Sequence, residues 1–176
     1  MLTFRSAVME DAPRIAEIYD QIHTREEAGL ATTGWLRAVY PTLASAKESI
    51  TKGDMFVAEE NGRIVASGKI NREQVPVYAQ VPWKYEAPDE QVMVLHTLTV
   101  DPALEGRGIA GTFVRYYEDY ALERGCPCLR IDTNEKNLRA RGLYGSLGYR
   151  EAGIVSCEFN GIPGVHLVCL EKYLEK

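Results

Sequence analysis

The sequence predicts a mixed α/β fold, a sheet with antiparallel ends and one parallel crossover at its centre. Three observations carry this. Asn61-Gly62 and Asn160-Gly161 each stand between strand-like runs and mark two-residue hairpins. The β-branched run Val92 to Val100 and the short run Cys128 to Asp132 are separated by a helical pattern, which makes a strand–helix–strand unit. The period of the apolar residues switches between helical and strand-like along the chain in the order β, α, α, β-β-β, α, β, α, β-β.

Each element has a local reason. Thr3 to Val8 reads as a strand, and Glu10-Asp11-Ala12-Pro13 opens a helix with acid in its first turn. Ile15, Ile18, Tyr19 and Ile22 form the apolar face of that helix. A second helical region is expected from about Gly34 to Ile50, broken at Tyr40-Pro41. Met55 to Glu59 and Arg63 to Ile70 are paired strands. Asn71 to Glu90 is irregular and rich in proline and aromatics, and loops of that length in a compact domain tend to be functional. After Val92 to Val100 come Asp101-Pro102, a glycine-rich turn, and a helix from about Gly108 to Glu123 with Ile109, Phe113, Tyr116 and Tyr120 as its stripe. Asn137 to Leu147 is a helix stopped by Gly148. Strands from about Tyr149 to Phe159 and Val165 to Tyr173 close the chain.

The 176 residues fit one domain, residues 1–176, and a 45 % hydrophobic content builds a core without disulfide or metal staples. A net charge of −5 argues against a nucleic-acid partner, which calls for a basic face. The amino terminus has no apolar stretch of membrane or signal length, so the expected compartment is the cytoplasm. Cys126, Cys128, Cys157 and Cys169 lack zinc-site spacing and read as ordinary thiols; no metal is expected.

The turn Glu105-Gly106-Arg107-Gly108-Ile109-Ala110-Gly111 lies between a strand and a helix. Glycine lets backbone approach an anion closely, and the N–H groups of a helix start point at it, so the segment reads as a phosphate or pyrophosphate cradle. Gly106-x-Gly108-x-x-Gly111 also matches a dinucleotide fingerprint, with Asp132 as its ribose acid. That reading fails on spacing: Asp101 to Glu105 intervene after the strand, and Asp132 lies too far on. No Gly-Lys-Ser/Thr follows, which excludes a P-loop.

Two stretches carry a family resemblance. Leu98-Thr99-Val100-Asp101-Pro102-x-x-Glu105-Gly106-Arg107-Gly108-Ile109-Ala110 resembles the strand–turn–helix motif of the GNAT superfamily of N-acetyltransferases, and Asn137-x-x-Ala140-x-x-x-Tyr144-x-x-x-Gly148-Tyr149 resembles the helix of that family which follows it. The resemblance implies a mostly antiparallel sheet of six to seven strands with a splayed central parallel pair. It implies acetyl-CoA as cosubstrate, held by Leu98, Thr99, Val100, the turn Glu105 to Gly111, Asn137 and Tyr144. Position 105 departs from the family's Gln or Arg, and a carboxylate there is adverse to pyrophosphate; Arg107 and Arg115 are the nearby basic residues that would offset it.

Amine acetylation needs a neutral amine, donors for an oxyanion, and a donor for the leaving thiolate. The resemblance assigns the oxyanion to a backbone N–H within Leu98 to Val100, and the sulfur to Tyr144. Asn137, Ala140 and Tyr144 at i, i+3 and i+7 share a helix face. A phenol is a weaker acid than a thiol, so Tyr144 acts as a transition-state hydrogen-bond donor. His96 is the candidate base: strand alternation would set it on the side of Leu98 and Val100, and an imidazole suits neutral pH. Glu26, Glu27 and Glu86 are alternatives. Trp83, Tyr85 and Glu27 are expected to contact the acceptor, since aromatics near acids suit an organic cation; the same aromatics suit contact with a second copy of the chain equally well. The expected acceptor is a small-molecule primary amine. Two alternatives stand beside it: acetylation of a protein amino terminus or lysine, and a non-catalytic acyl-CoA sensor.

Overall fold

A computed structural model describes residues 1–175. Seven strands form one sheet: β1 (Thr3–Ser6), β2 (Met55–Glu60), β3 (Arg63–Asn71), β4 (Val92–Val100), β5 (Cys128–Asn134), β6 (Arg150–Phe159) and β7 (Ile162–Tyr173). Their order is β1-β2-β3-β4-β5-β7-β6. Among the described residues only β4 and β5 pair in parallel; every other neighbour is antiparallel. Four helices flank the sheet: α1 (Ala12–Glu27), α2 (Leu43–Thr51), α3 (Ile109–Glu123) and α4 (Leu138–Ser146). Among the described residues no helix is long and apolar enough to cross a membrane.

The two hairpins form as the Asn-Gly pairs require. Asn61 and Gly62 have φ of 52° and 75°, and Asn160 and Gly161 have 52° and 77°, the doubly left-handed geometry of a turn that matches strand twist.

Three apolar clusters fix the layers. On one face α3 and α4 pack through Ile109, Phe113, Tyr117 and Tyr144 onto Met93, Leu95, Leu129 and Ile131. On the other, α1 and α2 cover β2 and β3 through Ile15, Ile18, Ile22 and Ala46. Beside them the segment between β3 and β4 lays Tyr78 and Val81 over Val94, Leu167 and Cys169.

Two sequence expectations are corrected. Gly34 to Pro41 is not helical; it holds only a bridge between Leu36 and Tyr40. Proline at 41 keeps the preceding residue out of the helical region, and Thr42 restarts the chain as the N-cap of α2. Its hydroxyl accepts from the Ser45 N–H at 3.1 Å while Ser45 Oγ accepts from the Thr42 N–H at 2.9 Å. In α3 the deepest tyrosine is Tyr117, whose hydroxyl donates to the Met93 carbonyl at 2.6 Å. Tyr116 and Tyr120 sit at the flank, against Phe4 and Phe56.

Candidate active site where the parallel strands part

The parallel ladder between β4 and β5 ends at Leu95 and Ile131. Beyond it β4 stays with β3 and β5 stays with β7, so the two strands diverge. A bulge sharpens the parting. Between the pairs Lys69–His96 and Ser67–Thr99, Thr97 and Leu98 stand opposite the single residue Gly68. Thr97 takes φ of 51°, a left-handed value rare for a β-branched residue. Glycine at 68 is required by packing: a Cβ there would lie 2.8 Å from the Phe113 ring.

A cavity of about 110 Å³ fills the gap. Its walls are Thr97 and Leu98 from β4, Asp132 to Asn134 from β5, and Asn137, Ala140 and Tyr144 from the α4 end; Trp35 and the β6–β7 hairpin close the other side. The face predicted at i, i+3 and i+7 therefore lines one space. Asn137 caps α4, its Oδ1 accepting from the Ala140 N–H at 3.2 Å. Tyr144 is 6 % exposed and its hydroxyl has no protein partner among the described residues. Burial, then the nearby Asp132 carboxylate, push its pKa above that of an ordinary phenol.

Asp132 reaches the same cavity from the other side of the sheet. Leu129 and Ile131 face α3, so Arg130 and Asp132 point the opposite way. The Tyr78 hydroxyl donates to Asp132 Oδ2 at 2.6 Å. Burial raises the carboxyl pKa to about 6, and the Tyr78 hydrogen bond works against that rise. In the sequence Asp132 stands out only as a rejected ribose ligand. Its signal there is a lone acid at the end of an apolar strand, followed by Thr133 and Asn134 instead of more core.

His96 stands elsewhere. The bulge breaks alternation between His96 and Leu98, so the two side chains lie on opposite faces. Leu98 and Val100 join the α3 core. His96 Nε2–H donates to Asn71 Oδ1 at 2.9 Å, a direction fixed because Asn71 Nδ2 donates to Asp54. Burial, with the Lys69 charge beside it, lowers its pKa to about 3. It does not line the cavity. Thr99 is buried and its hydroxyl bonds Ser67 Oγ at 2.7 Å.

Glu27, Trp83 and Tyr85, expected around the acceptor, do not line this cavity. Glu27 is bound to Arg37 on the surface, with Oε1 accepting from Nε at 2.9 Å. Glu26 does shape the roof: its carboxylate accepts from the N–H groups of Thr33 and Gly34, both at 2.9 Å. Trp83 and Tyr85 lie outside the cavity. Trp83 packs edge-on against Tyr78, its Nε1–H donating to the Tyr78 carbonyl at 2.9 Å, and Tyr85 packs against Tyr173.

At the glycine-rich turn, Gly106 and Gly108 have φ of 82° and 76°, and a Cβ on either would enter open space. Gly108 is the N-cap of α3, and the helix's first described backbone bond runs from Thr112 N–H to the Gly108 carbonyl. The N–H groups ahead of it are the free donors of a helix start. Ile109 is core, and Gly111 lies against Leu143 of α4, where a Cβ would make an ordinary 3.7 Å contact. Ala110 is half-buried between them. Arg107 and Glu60 form a two-pronged pair, 2.9 and 3.0 Å, so the Arg107 side chain is engaged away from the turn. Glu105 is instead held by Arg25 from α1, at 2.9 Å, and by Arg139 from α4. Two arginines thus offset the carboxylate that departs from the family pattern.

A turn of this kind beside a splayed parallel pair marks the chain as an enzyme of the acetyltransferase class. The Acetyltransferase (GNAT) family profile matches residues 13–149, and the chain belongs to that family. It is 27 % identical over 150 residues to the uncharacterized N-acetyltransferase YhfO of Bacillus subtilis, covering 85 % of this chain and 91 % of that one. It is 27 % identical over 154 residues to the N-alpha-acetyltransferase RimI of Mycobacterium tuberculosis, covering 87 % and 81 %. A GNAT-family acetyltransferase from Streptococcus agalactiae superposes with a TM-score of 0.84 at 20 % identity, over 99 % of this chain and 96 % of that one. The Salmonella typhimurium protein yncA, solved with its cofactor acetyl-CoA, superposes at 0.69 with 18 % identity, over 99 % and 95 %.

Proposed function

We propose that the protein transfers the acetyl group of acetyl-CoA directly to the primary amine of a small molecule. The observation that carries this is the gap between β4 and β5, where Asp132 and Tyr144 meet from opposite faces of the sheet. The open cradle at Gly106 and Gly108, the partnerless Tyr144 hydroxyl and the binding of acetyl-CoA by yncA support the cosubstrate. Acetyl-CoA supplies an acetyl thioester.

The chain's residues then have separate tasks. The N–H groups from Arg107 to Gly111 and the α3 start hold the pyrophosphate. The β4 backbone past Leu95 has lost its β5 partner, so an N–H on that side within Leu98 to Val100 is available to stabilise an oxyanion. Asp132 takes a proton from the acceptor ammonium, and a carboxylate with pKa near 6 is ionised enough at neutral pH to do so. Tyr144 O–H donates a hydrogen bond to the departing sulfur. Its raised pKa keeps that proton in place. His96, neutral and turned to Asn71, is a structural group in this scheme.

The roof argues for a small acceptor. Gly161 of the β6–β7 hairpin abuts Val39, so that a Cβ on it would lie 3.2 Å from Val39 Cγ1, and Gly34 abuts Asn134. The loop before α2 and the hairpin therefore meet over the cavity, where an extended peptide needs an open groove. The relation to RimI favours a second reading, acetylation of a protein amino terminus. Release of CoA thiol should be measured over polyamines, aralkylamines, amino acids and peptides. Turnover on small amines is expected. Higher kcat/KM on peptides selects the second reading, and acetyl-CoA binding without turnover on any amine marks a sensor.

A further inference from the structure

The geometry points to Tyr78 as a positioning residue for this reaction: its hydroxyl anchors Oδ2 of Asp132 and leaves Oδ1 as the basic atom offered to the acceptor amine. The inference rests on the reading of Asp132 as the base.

Tyr78 is 2 % exposed, packed among Val92, Val94, Leu167 and Cys169. A phenylalanine would satisfy that packing, so the hydroxyl has another use. Its one described bond is the 2.6 Å donation to Asp132 Oδ2; Oδ1 has no described partner, and the residue lines the cavity. The ring cannot turn away easily. Trp83 holds the Tyr78 carbonyl through its Nε1–H, stacks edge-on with a centroid separation of 5.2 Å, and is itself covered by the Arg130 guanidinium at 4.1 Å. The aromatics of the long segment thus act on the site from behind, through Tyr78.

The surroundings make that hydroxyl decisive. Besides Tyr78, the titratable groups near enough to feel the Asp132 charge are Tyr40 from the loop before α2, Tyr144 from α4, Cys157 from β6 and Cys169 from β7. All are uncharged at neutral pH. Arg130 points the same way one register back, but its guanidinium is spent on Trp83 and Gln74. No described cation pairs with the carboxylate, so a neutral phenol is the group that stabilises its ionised form. Without that donor, burial alone acts and the acid becomes a base only at higher pH.

The test is the pH profile of kcat/KM for the intact protein with whichever amine it turns over. The wild-type acid limb should lie near pH 6. Tyr78→Phe should move it upward by about one to two pH units, the worth of one hydrogen bond to a charged group, while the high-pH plateau stays within a few-fold. Replacing Tyr78 by 3-fluorotyrosine, an isosteric and more acidic donor, should move it downward; this variant keeps the test open if Tyr78→Phe folds poorly. A limb that moves in neither variant, while Asp132→Asn abolishes turnover, overturns the role of Tyr78 alone. Unchanged turnover and limb in Asp132→Asn overturn the assignment of the base, and this inference with it.

Discussion

Tyr144 and His96 carry opposite lessons about single residues. Tyr144 was legible because its position depends only on helix periodicity, and α4 forms where Asn137 and Gly148 bound it. Tyr144→Phe removes one donor and no packing. It should lower turnover by roughly 10²–10⁴ while calorimetric acetyl-CoA affinity stays nearly unchanged; wild-type turnover would remove Tyr144 from the chemistry. His96 depended on alternation along β4, and a bulge inverts alternation without marking the strand's own composition. Across the ladder the bulge faces Gly68, whose backbone lies against the ring of Phe113. His96→Asn should leave turnover within a few-fold of wild type. A loss comparable to that of Tyr144→Phe would return the imidazole to the mechanism. Asp132 was illegible as a candidate base for a related reason: its protonation is governed by burial and then by Tyr78, contributed from segments far away in sequence.

Local chemistry made the hairpins, α1 and the glycine-rich turn before α3 readable among the elements. Asn-Gly turns, Pro near a helix start and glycine before α3 each act within a few residues. The segment from Gly34 to Pro41 was not readable, because its shape is imposed by tertiary contacts: Glu26 holding Thr33 and Gly34, Tyr40 bonded to Thr97, and the β6–β7 hairpin against Val39. The cradle offers the clearest element-level test. Gly108 combines a left-handed φ of 76° with open space where a side chain would project. Gly108→Val strains the N-cap of α3 and fills that space with a branched side chain. Titration calorimetry should find no acetyl-CoA binding, with circular dichroism showing the fold retained. Unaltered affinity would mean that the pyrophosphate lies elsewhere. The ion pairs of Glu105 with Arg25 and Arg139 tie the same turn to α1 and α4, three elements whose convergence no local pattern announces.

For the whole molecule, the proposed chemistry and the stability of the fold draw on the same carboxylate in opposite directions. The Asp132 pKa is about 6 in the folded protein and about 3.9 in an unfolded chain. A raised folded pKa means that the unfolded state loses its proton first. The contribution of Asp132 to stability is therefore fully present below about pH 3.9 and is lost as pH rises through about 6. That difference in proton affinity corresponds to about 3 kcal/mol, and coupling to solvent at the cavity mouth lowers this to an expected ~1–3 kcal/mol. Asp132→Asn keeps an acceptor for the Tyr78 hydroxyl and removes the charge. The variant should accordingly be inactive yet more stable than wild type by about 1–3 kcal/mol at about pH 7.5, with the gain falling to a few tenths of a kcal/mol near pH 4. Urea unfolding at the two pH values measures this directly. Equal stability at the higher pH would show that the folded protein carries the charge without strain, and that the site does not hold Asp132 as a buried base.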